Sequence, residues 1–309
     1  MRHAIRTFAL VVALLSSAVA QAQLFRAYLA PGGSDANPCT LAAPCRLLPA
    51  ALTAVVSGGE IWMLDSANYN TGTVTVPKSV TILAVPGAVG SIVVTGGGPG
   101  ILVAATGMRV VLRNLVIAPL AGAAPGTNGV NMTGNSFLHV DKSTIANTPG
   151  AGVRATAGDV MVTDSTIQGT FEYGVWVTND VNATVASSRL LYNTTGGVLA
   201  NTTVVASALV DVSDCVISGG ANGAAAQVAG SGTAVVSVTR STIAQMGNAI
   251  AANATSPGVA EVNIGSSMVV RNTSAWEQVG TGSAIMSLGN NQFRQNGAGF
   301  GTKSAFAGQ

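Results

Sequence analysis

The chain has 309 residues, of which 48% are hydrophobic, only 8% are charged and 38 are glycine. Charge this sparse beside abundant Val and Ile excludes a disordered chain, and the lack of a Gly-X-Y period excludes collagen. After residue 20 no run of about 18 apolar residues occurs, which leaves an all-β protein whose solubility rests on Thr, Ser and Asn.

Arg2, His3 and Arg6 precede the apolar run from Phe8 to Leu15, and small residues follow from Ser16 to Ala22. This order is that of a secretory signal peptide over residues 1–22, cut before Gln23. Read instead as an uncleaved anchor, the apolar run is short for a span. Losing Arg2 and Arg6 reduces the 14 basic residues to twelve, matching the 12 acidic ones. A chain so near neutrality has no basic footprint for nucleic acid. The expected location is the periplasm or the extracellular medium, with no membrane span after cleavage.

Residues 23–70 read as an N-terminal cap. Cys39 and Cys45 bracket a short loop turned by Pro44, and an exported chain permits a disulfide between them. No second Cys or His pair exists, because the mature chain holds only His139 and Cys215 besides. A zinc site is therefore excluded, and no metal or other cofactor is expected. Arg46 to Ser57 is the one convincing helix, stopped by Gly58-Gly59. Glu60 to Leu64 then alternates as a strand.

Residues 71–300 are repetitive, and residues 301–309 form a tail. The repeat reads apolar-x-apolar-x-x-Ser-x-apolar, as in Leu138-His-Val-Asp-Lys-Ser143-Thr-Ile145 and Val160-Met-Val-Thr-Asp-Ser165-Thr-Ile167. The marked position recurs at Ser143, Ser165, Ser188, Cys215, Ser241, Ser267 and Asn291, at intervals of 22 to 27 residues. That period is too short for propeller blades and most helical repeats. A second short strand follows each turn, at Gly152-Val-Arg-Ala, Gly174-Val-Trp-Val, Gly197-Val-Leu-Ala and Gly223-Ala-Ala-Ala. Strands stacked on their counterparts about 4.8 Å away give parallel sheets, so the expected fold is an all-β, right-handed parallel β-helix. The marked residues should point inward as a polar ladder, with Cys215 a buried member of it.

The N-terminal segment carries a resemblance. Tyr28-Leu-Ala-Pro-Gly-Gly-Ser-Asp35, the Pro-Cys pair, the Ala-rich helix and Gly58-Gly-Glu-Ile-Trp-Met-Leu-Asp-Ser-Ala-Asn-Tyr69 resemble the start of secreted β-helix proteins of the pectate-lyase-like superfamily. The resemblance covers about residues 26–300. It implies the fold and leaves the function open, since the superfamily includes lyases, hydrolases, epimerases, tailspikes and adhesins. The motifs that the resemblance would require of an enzyme are missing: no Asn-Thr-Asp, Asp-Asp, Gly-His-Gly or Arg-x-Lys occurs. No catalytic residue is therefore assigned.

Two charge pairs fall on adjacent rungs just before the ladder position, Lys142 with Asp164 and Asp214 with Arg240. Each is placed for an exposed salt bridge. Arg154, Trp176 and Leu199 should stack on the outer face of one sheet, with Glu172 and Tyr173 in the turn leading into it. An outward Trp beside Arg154, Glu172 and Tyr173 reads as a sugar-stacking platform. His139 alternates with inward Leu138 and Val140 and reads as an exposed strand residue. Six Asn-x-Ser/Thr triplets, at Asn131, Asn182, Asn193, Asn201, Asn253 and Asn272, are expected by chance from this composition. The sequence thus points to an exported, non-catalytic β-helix that binds polysaccharide, a cell-surface glycan or another surface partner along its side. A polysaccharide lyase or glycoside hydrolase, and a structural or adhesive surface protein, are the alternatives.

Overall fold

The computed structural model describes residues 23–255 and 257–305; the leader expected at 1–22 lies outside them. Each coil contributes three short strands. In one coil these are Gly158–Thr163, Thr166–Gln168 and Tyr173–Thr178. The first joins a parallel 12-stranded sheet, face A. The other two join a 17-stranded sheet that divides into two parallel stacks, faces B and C. The long strand Val216–Ala229 belongs to both stacks and links them. The chain is a right-handed parallel β-helix with one short helix near its N-terminus.

Alternation explains the core. Val162 on face A, Ile167 on face B and Val175 and Val177 on face C all point inward and are fully buried. Each stacks on an apolar counterpart, as Ile167 does on Ile145 and Leu190. Every inward row is thus continuous along the axis, and the hydrophobic effect acts over the whole length of the solenoid.

The expected ladder is present. The backbone N–H of Ser143 donates to Ser165 Oγ at 3.1 Å, Ser165 to Ser188 at 3.1 Å, and Ser188 to Cys215 Sγ at 3.4 Å. Cys215 N–H then donates to Ser241 Oγ at 3.0 Å, Ser241 to Ser267 at 3.1 Å, and Ser267 to Asn291 Oδ1 at 3.0 Å. The preceding residue of each rung is left-handed, as at Lys142, Asp164, Ser187, Asp214, Arg240 and Ser266. Hydrogen bonds to the next coil, such as Lys142 N–H to Thr163 O at 3.1 Å, hold that conformation. Burial pushes the Cys215 thiol pKa up. Alkylation of Cys215 in the native protein is therefore expected only on the timescale of unfolding; rapid labelling by a thiol reagent would contradict its place in the ladder.

A second polar ladder runs at the corner between faces B and C. Thr170 N–H donates to Asn193 Oδ1 at 3.1 Å, Met246 to Asn272 at 2.9 Å, and Asn272 to Asn296 at 3.0 Å. Asn193 and Asn272 are buried here, so these two triplets serve the coil rather than accept a glycan.

Of the two charge pairs, Arg240 and Asp214 form a bidentate contact at 2.9 and 2.7 Å. Lys142 and Asp164 occupy adjacent rungs without an ion pair. The helix is shorter than expected, spanning Leu48–Ala54 (α1) instead of residues 46–57. Leu47 is extended, and Arg46 and Leu47 give their N–H groups to Asp35 Oδ1 at 2.9 and 2.8 Å. At the other end β-branched Val55 and Val56 already belong to the strand Val55–Met63. Leu48, Ala51 and Leu52 cover the open apolar end of the solenoid. The Cys39–Cys45 disulfide, with Cα atoms 4.6 Å apart, closes the adjacent loop.

Candidate functional site

Face C assembles the expected row. Arg154, Trp176 and Leu199 are successive register partners on its outer side. The Arg154 guanidinium lies 4.2 Å from the centre of the Trp176 ring, and the Tyr173 ring meets Trp176 edge-on at 6.3 Å. Glu172 is half-buried in the preceding turn, and its carboxylate forms no ion pair among the described residues. Trp176 is half-buried rather than fully open, because Tyr173 and Leu199 pack against it. Leu199 is buried although it faces outward, and burial pushes the Tyr173 phenol pKa up.

The same row then narrows. Leu199 is followed by Ala225, Ala251 and finally Glu277. Asn222 and Asn248 flank the alanines on one side; Gln227 and Asn253 flank them on the other. Asn248 Nδ2 donates to Asn222 Oδ1 at 3.2 Å and to Glu277 Oε2 at 2.9 Å. Leu199, Ala225 and Ala251 are buried, so this strip presents its flanking amides to solvent, with an aromatic ring at one end and a carboxylate at the other. Four rungs separate Trp176 from Glu277, roughly 19 Å at the usual strand spacing.

Three buried side-chain polar atoms lack a partner among the described residues: Trp176 Nε1, Asn131 Oδ1 and Asn179 Oδ1. Asn131 stands one rung before Arg154 in the same row. Asn179 immediately follows the strand that carries Trp176. Each such atom costs about 1–3 kcal/mol when left unpaired. All three atoms are shielded from solvent, so they are unmet hydrogen bonds inside face C and not groups presented at its surface.

Face A carries a second cluster, which the sequence reading did not assemble. On three successive rungs the outward residues are Arg109, Val111, Arg113; Phe137, His139, Asp141; and Asp159, Met161, Thr163. His139 occupies the centre. Its Nε2 lies 2.8 Å from Thr163 Oγ1, which donates to Asp141 Oδ1 at 3.0 Å. Arg113 Nε donates to Asp141 Oδ2 at 2.7 Å. The Arg109 guanidinium lies 4.4 Å above the Phe137 ring. Stacking the repeats by their ladder serines would have put these residues side by side; reading His139 along its own strand could not.

Burial pulls the His139 pKa below 6.5, with Arg113 and Arg109 adding to the shift and Asp141 opposing it. A group depressed in this way binds fewer protons folded than unfolded, so its contribution to stability is present above pH 6.5 and is lost as pH falls. His139→Gln is therefore expected to flatten the decline of melting temperature below that pH. An unchanged pH profile would contradict the burial of His139.

Among the described residues no group of three His, Cys, Asp or Glu side chains converges as a metal site, and no helix is long and apolar enough to cross a membrane.

The family described as right-handed beta helix region matches residues 88–243 and again 128–306. No curated protein is significantly similar in sequence. Among solved structures, XylC in complex with xylose has a TM-score of 0.66 at 10% identity, covering 87% of this chain and 70% of that one. An alginate lyase from Paenibacillus sp. strain FPU-7 has a TM-score of 0.57 at 12% identity, covering 84% and 96%. Pectate lyase Pel9A has a TM-score of 0.56 at 14% identity, covering 94% and 80%. At such identities the likeness is one of fold.

Proposed function

This chain belongs to the right-handed β-helix family, and on that premise we propose that it acts on extended polysaccharide laid along face C. The observation that carries the proposal is the Arg154–Trp176 platform, continued by the paired amides Asn222 with Asn248 and Gln227 with Asn253 along the same face. Stacking on Trp176 supplies apolar contact, while Asn222, Asn248, Gln227 and Asn253 offer hydrogen bonds at each rung. The leader at residues 1–22 and the Cys39–Cys45 bridge support action in the periplasm or outside the cell.

Of the readings drawn from the sequence, polysaccharide modification is now better supported than inert binding. The solved structures of like fold include an alginate lyase and a pectate lyase, and the strip ends on Glu277. Asn248 orients the Glu277 carboxylate, which makes it the group on the strip placed to exchange a proton with bound glycan.

The test is affinity electrophoresis in neutral and uronate polysaccharide gels, paired with assays for new reducing or unsaturated ends. Trp176→Ala is expected to weaken binding at least about tenfold while the β spectrum stays intact. Glu277→Gln should leave binding in place and reduce product formation by about 100-fold or more. A wild-type protein that binds without making new ends would restore the non-catalytic reading. Binding lost only in step with unfolding would leave the structural role.

A further inference from the structure

Four of the nine outward residues of the face A cluster, Arg113, Asp141, Thr163 and His139, are linked by directed hydrogen bonds. Thr163 uses its hydroxyl proton on Asp141, so its oxygen accepts from His139 Nε2 at 2.8 Å. The neutral imidazole therefore carries its proton on Nε2 and leaves Nδ1 as a bare lone pair. Arg113 is committed to Asp141 through Nε alone, leaving its terminal N–H groups unbonded among the described residues. The Arg109 guanidinium makes no ion pair among the described residues and lies over Phe137. Asp159, the other nearby carboxylate, accepts from Asn182 at 3.0 Å. Two guanidinium groups and an aromatic ring thus surround an imidazole, and Arg113 with Asp141 is the one ion pair among the described residues of the cluster.

We propose that this cluster is a second binding site, taking a carboxylate-bearing sugar unit between Arg109, His139 and Arg113, with uptake of a proton by His139. A carboxylate accepts in-plane hydrogen bonds from guanidinium groups, and Phe137 gives the sugar ring an apolar face. The bare Nδ1 of the neutral imidazole opposes the anion; once protonated, it donates to it. The groups facing His139 are Arg109 and Arg113 from the strand on one side, Asp159 from the strand on the other, and Asp141 on its own strand. Burial first, and then the two arginines, disfavour the charged ring in the free protein against the pull of Asp141, and a bound carboxylate adds to that pull. Affinity therefore rises as pH falls. The sugar as carrier of the carboxylate rests on the proposed function; the carboxylate itself rests on the charges of face A.

The experiment follows the His139 imidazole signals by NMR in the full chain, with and without a short oligogalacturonate. The probe is expected to raise the His139 titration midpoint by about one unit, equivalent to about tenfold tighter binding of the protonated form. The carboxyl-reduced oligosaccharide should leave the midpoint in place. Arg113→Gln would strand the Asp141 charge, so Arg109→Gln is the informative variant; about tenfold weaker binding is expected with the fold retained. A midpoint unmoved by oligogalacturonate, moved equally by the reduced sugar, or still shifted in full in Arg109→Gln overturns the proposal. Neutral polysaccharide binding lost in Trp176→Ala tests face C separately, so either site can fail alone.

Discussion

Ile167→Asp is expected to prevent folding. Ile167 is fully buried between Ile145 and Leu190 on the neighbouring coils. A carboxylate there has no cation within the core and interrupts a continuous apolar row. The cost of an unpaired buried charge exceeds about 4 kcal/mol, a large fraction of the stability of most domains. Far-UV circular dichroism and soluble yield report the outcome. A variant that melts like the wild type would mean that the inward and outward phases of face B are reversed.

Gly174→Val is the second severe change. Gly174 opens face C, and a Cβ at this position would lie 2.9 Å from the Gly197 carbonyl oxygen and 2.8 Å from Asn193 Nδ2. A backbone carbonyl cannot rotate away without breaking the inter-coil ladder, and Asn193 is a rung of the second polar ladder. Gly152 stands in the same relation to the Gly174 carbonyl, at 2.7 Å, so the coils approach here by lacking side chains. Destabilisation of about 3 kcal/mol or more is expected. Gly72→Ala is the control, because nothing lies within 4 Å of the place its added methyl group would take, and its melting temperature should stay near the wild-type value. Equal behaviour of the two variants in a thermal melt would contradict the close approach on face C.

The coils were legible because their signal repeats. Alternation around Leu138-His-Val, Val160-Met-Val and their counterparts sets the inward face, and the recurring serine marks one turn. The disulfide was legible from the short spacing of Cys39 and Cys45 and from the expectation of export. The helix ends were not, because the Ala-rich pattern says nothing of Asp35 capturing the N–H groups of Arg46 and Leu47 from eleven and twelve residues away. The Asn193 and Asn272 ladder was hidden by the general abundance of Asn. At the candidate sites, one-coil neighbours such as Arg154 and Trp176 followed directly from the repeat register. Longer relations did not. The strip from Trp176 to Glu277 and the Arg113–Asp141–Thr163–His139 chain each cross several coils, and their bonding depends on side-chain directions that a repeat alignment leaves open.

The central claim is that face C is the polysaccharide-contacting side, and hydroxyl-radical footprinting with mass spectrometry tests it most directly. The chain has 3 tryptophans, which serve as internal probes: Trp62 on face A, Trp176 on face C and Trp276 packed with Phe293 near the C-terminal end. With saturating polysaccharide, oxidation of Trp176 is expected to fall several-fold while Trp62 and Trp276 keep their unliganded rates. Protection confined to Trp62 or Trp276, with Trp176 oxidised as in the free protein, would contradict the account.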